Sequence, residues 1–165
     1  MKKFLFLIML FLFCLSSCSK GVSDEDCLSY QKKDFEAQVN GEHSGFMFEA
    51  RISGKRGEGG NTTVVFTATA SMKNIVAVYE NGNTHISLDG IDFAGNIYSH
   101  ITGFAKLFSI EAVPVSFELE GENTRAELIG NEGERYSVLL DRTGLPLEIK
   151  EEGKTTLKIT KYSAK

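Results

Sequence analysis

His43, His85 and His100, with Cys14, Cys18 and Cys27, are the side chains of this 165-residue chain best suited to hold a metal or act as nucleophiles. None of them stands at a C-x-x-C, H-x-x-x-H or carboxylate-assisted spacing, so the sequence offers no metal ligand set. Asp89 and Asp92 are the nearest approach to an acid–base pair. Asp89 belongs to a glycine turn, however, and nothing beside either carboxylate would split their pKa values. Gly57-Glu58-Gly59-Gly60-Asn61 has the glycines of a phosphate loop but lacks the Lys-Ser/Thr and the helix that such a loop needs. Neither a G-x-S-x-G elbow nor a Cys-His signature supplies a nucleophile, and the sequon Asn61-Thr62-Thr63 is uninformative beside an N-terminus of bacterial type. A protein that is no enzyme, with no metal and no cofactor, is expected. Composition narrows the partners further: 18 Lys+Arg against 22 Asp+Glu give a net charge of −4 and no basic footprint for nucleic acid. With 42% hydrophobic residues the chain is long enough for one globular domain and too apolar for disorder.

One cysteine does stand in a chemical context. Met1-Lys2-Lys3 is a cationic start, and residues 4–15 carry no polar side chain except the Cys14 thiol. Twelve helical residues reach about 18 Å, short of a hydrocarbon core of about 30 Å, so this stretch reads as an export signal and not a span. It ends in Leu15-Ser16-Ser17-Cys18, which resembles the lipobox of bacterial lipoproteins. The resemblance implies cleavage before Cys18, a diacylglycerol thioether on its sulfur and acylation of its new amino group. Two or more chains, at about 0.8 kcal/mol per buried methylene, hold far longer than one. The expected location follows: exported, and anchored on the outer face of the cytoplasmic membrane or, in a Gram-negative cell, on the outer membrane.

Cleavage would discard Cys14, Lys2 and Lys3 and move the net charge from −4 to −6. Cys27 would then have no second thiol in its own chain once Cys18 is alkylated, and is expected to sit quietly near the start of the fold. Residues 18–29, with Ser19-Lys20-Gly21 and Asp24-Glu25-Asp26, show no apolar period and read as a flexible lipidated tether. The remainder, 30–165, reads as one domain.

What would position any site in that domain is a series of strands. Apolar residues alternate at Phe35, Ala37, Val39; at Phe46, Phe48, Ala50, Ile52; at Val64, Phe66, Ala68, Ala70, Met72; and at Ile75, Ala77, Tyr79. The same period returns at Val115, Phe117, Leu119; Ala126, Leu128; Tyr136, Val138, Leu140; Leu147, Ile149; and Leu157, Ile159. Asn40-Gly41, the 57–61 run, Asn81-Gly82-Asn83, Asp89-Gly90, Gly121, Gly130 with Gly133, Gly144 and Gly153 mark turns between them, as expected of an all-β antiparallel meander. Only residues 99–110 break the period: Ile101, Phe104, Ala105 and Phe108 recur at three and four, which predicts a helix capped by Ser99 and stopped before Pro114.

About ten strands at 4.8 Å make a flat sheet over 40 Å wide, and a helix about 10 Å across cannot cover it. The expected fold class is therefore mainly β: a curved antiparallel sheet, an open or half β-barrel, with one or two lid helices. Phe46, Phe48, Phe66, Ile101, Phe104, Phe108 and Phe117 would line or plug its interior. The residues alone leave open whether that interior is a hollow for an apolar ligand or a dry packed core. The run Tyr136-Ser137-Val138-Leu139-Leu140-Asp141-Arg142-Thr143-Gly144-Leu145-Pro146-Leu147-Glu148-Ile149 resembles the late hairpin of LolA/LolB-like lipoprotein carriers and receptors. That resemblance implies an unclosed barrel whose concave side is lidded by helices and receives acyl chains. The expected partners are a membrane through the lipid anchor and a lipid or other apolar ligand; the alternative is an envelope adaptor that contacts another protein and holds no ligand.

Overall fold

The computed structural model describes residues 22–23, 25–68, 73–93 and 106–164. A short 3-10 turn, Ser29–Lys32, precedes eleven strands: β1 (Phe35–His43), β2 (Phe46–Lys55), β3 (Asn61–Ala68), β4 (Ile75–Glu80), β5 (Asn83–Leu88), β6 (Ile91–Phe93), β7 (Ala112–Glu120), β8 (Asn123–Gly130), β9 (Arg135–Leu140), β10 (Pro146–Glu151) and β11 (Thr155–Ala164). They form one antiparallel sheet in the order β6-β5-β4-β3-β2-β1-β11-β10-β9-β8-β7, which is not closed. Two meanders meet where the first strand pairs with the last, from Phe35 opposite Ala164 to His43 opposite Thr155. The first and last strands therefore hold the middle, and β6 and β7, consecutive among the described strands, are its two edges.

The sheet is bent strongly around one face. Tyr79 on β4 and Tyr136 on β9 are six strand spacings apart in the sheet order, about 29 Å if it were flat. Both nevertheless line a single pocket of about 430 Å³. On the concave side the predicted alternation is seen strand after strand: Phe35, Ala37 and Val39; Phe48, Ala50 and Ile52; Val64 and Phe66; Ile75 and Ala77; Ala126 and Leu128; Tyr136, Val138 and Leu140; Ile149; and Leu157 are all buried. The alternation fails on β7, where the register shifts between Pro114 and Ser116. Val115 is the extra residue and is exposed; beyond it Phe117 and Leu119 keep the inward phase, opposite buried Ala126 and Thr124, yet at this edge Phe117 packs only partly against the core and Leu119 stays exposed.

Asn40-Gly41 is not the turn its residue types suggest. Both lie inside β1, and the chain reverses at Ser44-Gly45, with φ of 50° and 81°. Gly41 is needed for another reason: a Cβ there would come within 2.0 Å of the Phe48 ring directly across the hairpin. The other end of the same hairpin repeats the device, with the Phe35 ring lying over Gly54. Each ring covers a backbone that has no side chain of its own. Gly41→Ala is expected to destabilise the domain by about 1–3 kcal/mol, since the ring must leave its rotamer. Urea unfolding checks it, and Phe48→Leu in the same background should return part of the loss.

Most of the predicted helix at 99–110 lies outside the described residues; its described end, 106–110, is one helical residue followed by turn and bend. Among the described residues no helix reaches seven residues, and residues 106–111 act as an irregular cover. Residues 25–29, expected to belong to a flexible tether, are instead part of the packed domain, because Cys27 and Tyr30 are buried and Leu28 packs against the core. These three side chains hold the segment to the concave face, and the Cys27 thiol is enclosed there.

Candidate functional site

The concave face is the surface on which the described chain concentrates its apolar side chains, and two short segments lie over it. The first is residues 25–33, with Val22 ahead of them. The Val22 amide donates to Thr124 Oγ1 on β8 at 3.5 Å, Ser29 sits beside the Gly144 turn, and the Gln31 carbonyl accepts from Arg56 Nε at 2.6 Å. The second, residues 106–111, lies across the middle, with Leu107, Phe108 and Ile110 buried. The Phe108 ring stacks on Phe35 at 5.2 Å, and Phe35 in turn stacks on Tyr162 at 5.6 Å. Such offset pairs add to the area they bury.

Arg56 joins both covers to the sheet. Besides Gln31 it donates through its two terminal nitrogens to the Phe108 carbonyl at 2.7 Å and to Thr62 Oγ1 at 3.2 Å, and its own amide donates to Asp34 at 2.7 Å. Its guanidinium carbon stands 5.1 Å from the Phe35 ring centroid. Burial lowers the guanidinium pKa from its ordinary value, opposed by Tyr162, Asp34 and Tyr30. It remains a cation, as arginine does in proteins. Burial also raises the phenol pKa of Tyr30, whose hydroxyl accepts from Gln31 Nε2 at 3.2 Å, and pushes that of Tyr162 up to about 12. The Tyr162 hydroxyl donates to the Tyr30 carbonyl at 2.9 Å.

Three buried threonines interrupt the apolar wall, and each has a hydrogen-bond partner. Thr62 meets Arg56 and Ser109, Thr124 holds the Val22 amide, and Thr155 pairs with His43 Nδ1 at 2.7 Å. Sequence reasoning missed Arg56, Thr62 and Thr124 as the residues that fasten the cover. A signal was present, since Thr62 and Thr124 occupy inward phases otherwise filled by Val64, Phe66, Ala126 and Leu128. A polar group kept on a buried face implies a partner opposite.

Of the seven candidate cavity residues, Phe48, Phe66 and Phe108 lie buried on the concave side, with Phe48 and Phe66 edge to face at 5.4 Å. Phe117 is partly buried near the β7 edge. Phe46 is 41% exposed at the end of the β1–β2 hairpin. Ile101 and Phe104 lie outside the described residues, as does Cys18. The described face thus divides: Arg56, Thr62 and Phe108 mark the fastened end, and Phe48 and Phe66 lie toward the other. The 430 Å³ pocket between the two wings of the sheet is lined by none of the seven, but by Lys106, Glu111, Glu132, Glu134, asparagines and the two tyrosines. It is a polar cleft, with Lys106 3.7 Å from Glu134. Among the described residues no group of three or more His, Cys, Asp or Glu could hold a metal, and no helix is long and apolar enough to cross a membrane.

The Asp-x-Thr-Gly-Leu-Pro turn has a local explanation. Asp141 Oδ1 accepts from the Thr143 amide at 2.8 Å, the Thr143 hydroxyl at 2.7 Å and the Leu145 amide at 3.0 Å, while Gly144 takes φ of 81°. Burial pushes the Asp141 carboxyl up, but the hydrogen bonds from Thr143, Leu145 and Gly144 together outweigh it and hold its pKa below the ordinary 3.8. A depressed carboxylate stabilises the fold fully above its unfolded pKa, and that contribution is lost as pH falls through the folded one. Asp141→Ala should therefore cost about 1 kcal/mol at neutral pH. Urea unfolding should show the gap between the two proteins closing as the pH drops below 3.8.

No protein-family model matches the chain, and no curated protein matches it in sequence. Its fold is found in solved structures. An uncharacterised conserved protein from Thermus thermophilus aligns over 86% of this chain and 84% of its own at 14% identity, with a TM-score of 0.52. MucB aligns over 88% of this chain at 16% identity and a TM-score of 0.51. The chain spans about 60% of the length of MucB. A LolA superfamily protein from Nitrosomonas europaea aligns over 88% of this chain and 94% of its own at 10% identity and a TM-score of 0.48.

Proposed function

We propose that this protein is an exported lipoprotein, anchored through Cys18, whose concave face takes an acyl chain or a similarly slender apolar molecule beneath the segment at 106–111. The observation that carries the reading is the contrast between wall and cover. The wall is mainly apolar from β5 through β9, whereas the cover consists of two short segments outside the sheet, seated by Cys27, Tyr30, Leu107, Phe108 and Ile110 and tied by Arg56, Thr62 and Thr124. A cover that contributes no strand to the sheet can be displaced without unfolding it. Phe48, Phe66, Phe108 and Phe117 would contact the chain; Phe46 would stand at its mouth. No residue is assigned a catalytic role.

A second reading is favoured by how tightly the described cover is packed. Leu107, Phe108, Cys27 and Tyr30 fill the fastened end, and MucB, which shares the fold, has been solved in complex with MucA(peri). On this reading the protein is an envelope adaptor with a dry core. The domain lacking residues 1–18, extracted with organic solvent and analysed by mass spectrometry, should release a lipid and should bind a fluorescent fatty acid. A clean extract with no fatty-acid binding would overturn the ligand reading in favour of the adaptor.

A further inference from the structure

Edge strand β7 shows an unusual surface. Val113, Val115 and Leu119 are 66%, 61% and 61% exposed, and Ile129 beside them on β8 is 41% exposed. An edge with aliphatic side chains ordinarily invites another strand, but this one is a poor template. Pro114 has no amide hydrogen to offer, and the register shift between Pro114 and Ser116 bends the ladder. Val113, opposite Ile129, and Leu119, opposite buried Thr124, flank this edge from its two faces, which suits a surface met through side chains that leaves the unpaired edge amides to water or polar groups.

The course of the N-terminal segment says which surface that is. Val22 is held to Thr124, and Thr124 is the direct cross-strand neighbour of Leu119. Val22 follows Cys18 by four positions, a reach of at most about 14 Å. Acyl chains on Cys18 would enter the bilayer within that distance of the corner where β7 meets β8. β7 carries no Lys or Arg and two exposed acids, Glu118 and Glu120, of which Glu120 is paired with Arg125. Its contact would accordingly be with neutral lipid, through side-chain burial and not attraction to anionic headgroups.

We propose that the β7 edge, with Val113, Val115 and Leu119, lies against the bilayer that holds the acylated Cys18, so that the domain stands on the membrane edge-on. The inference rests on the lipid anchor proposed above, and is independent of what the concave face binds. It brings the cover at 106–111, which leads directly into Ala112, next to the lipid.

The chain has no Trp, so single tryptophans report position without background. Full-length Leu119→Trp and Val115→Trp proteins, made with their own signal and reconstituted in dioleoyl phosphatidylcholine vesicles, should show blue-shifted emission that brominated acyl chains quench. Met47→Trp, at a position 73% exposed on β2, six strand spacings from β7 in the sheet order, should be neither shifted nor quenched. The mass of the N-terminal peptide, read on the same samples, reports acylation. Acylated Cys18 with unquenched emission from both edge variants would overturn the edge-on placement alone and leave the edge to a protein partner. Quenching at Met47→Trp equal to that at the edge would also overturn it. An unacylated Cys18 would overturn the anchor, and the placement with it.

Discussion

Phe108→Ala is expected to lower the stability of the domain by about 3–5 kcal/mol, the range for removing a fully buried ring. Phe108 has no exposed surface, stacks on Phe35 and belongs to a segment with no regular secondary structure to hold it otherwise. The neighbouring rings cannot collapse into the space freely, because Phe35 is itself positioned over Gly54 and against Tyr162. Chemical denaturation reads the loss, and Phe108→Leu should recover much of it. If the concave face binds a chain, the alanine variant should also take up a fluorescent fatty acid more readily than wild type. A loss below about 1 kcal/mol would mean that the 106–111 cover is not seated in solution.

Arg56→Met should cost about 2–4 kcal/mol, because methionine keeps much of the stem while the carbonyls of Gln31 and Phe108 and the Thr62 hydroxyl lose a charged donor at once. Arg56→Lys should restore little, since an ammonium cannot span three acceptors in the fixed fork of a guanidinium. Protease cleavage within 106–111 should rise in the methionine variant. Arg56 and Phe108 touch the same segment, so the double variant should fall short of the summed losses. Full additivity would show that the ring and the guanidinium hold the cover independently.

Most of the strands were legible residue by residue, because a half-buried strand writes its burial into the chain with period two. Phe35, Ala37 and Val39, or Tyr136, Val138 and Leu140, need no other information to be placed on one face. The turn at Asn40-Gly41 was misread for an equally physical reason. Glycine is required both where φ is positive and where a ring lies over the backbone, and a linear sequence does not say which. Val115 was misplaced because a single bulge resets the period, whereas Leu119 keeps the inward phase and is exposed because its strand is the sheet's edge, and the site's fasteners, Arg56 with Thr62 and Thr124, bind partners as distant in the chain as Val22 and Phe108.

By itself the sequence determined the fold class, an antiparallel sheet of about ten strands bent around an apolar face, and it supplied the Leu15-Ser16-Ser17-Cys18 box on which the anchor proposal stands. Those features are local, since alternation and a four-residue motif involve neighbours in the chain. Only the tertiary structure decided that β1 joins β11 in the middle of the sheet, that β6 and β7 are its edges, and that Cys27 and Tyr30 belong to the core. Such matters depend on which distant segments share one concave surface, and that is settled by the total apolar area they can bury together.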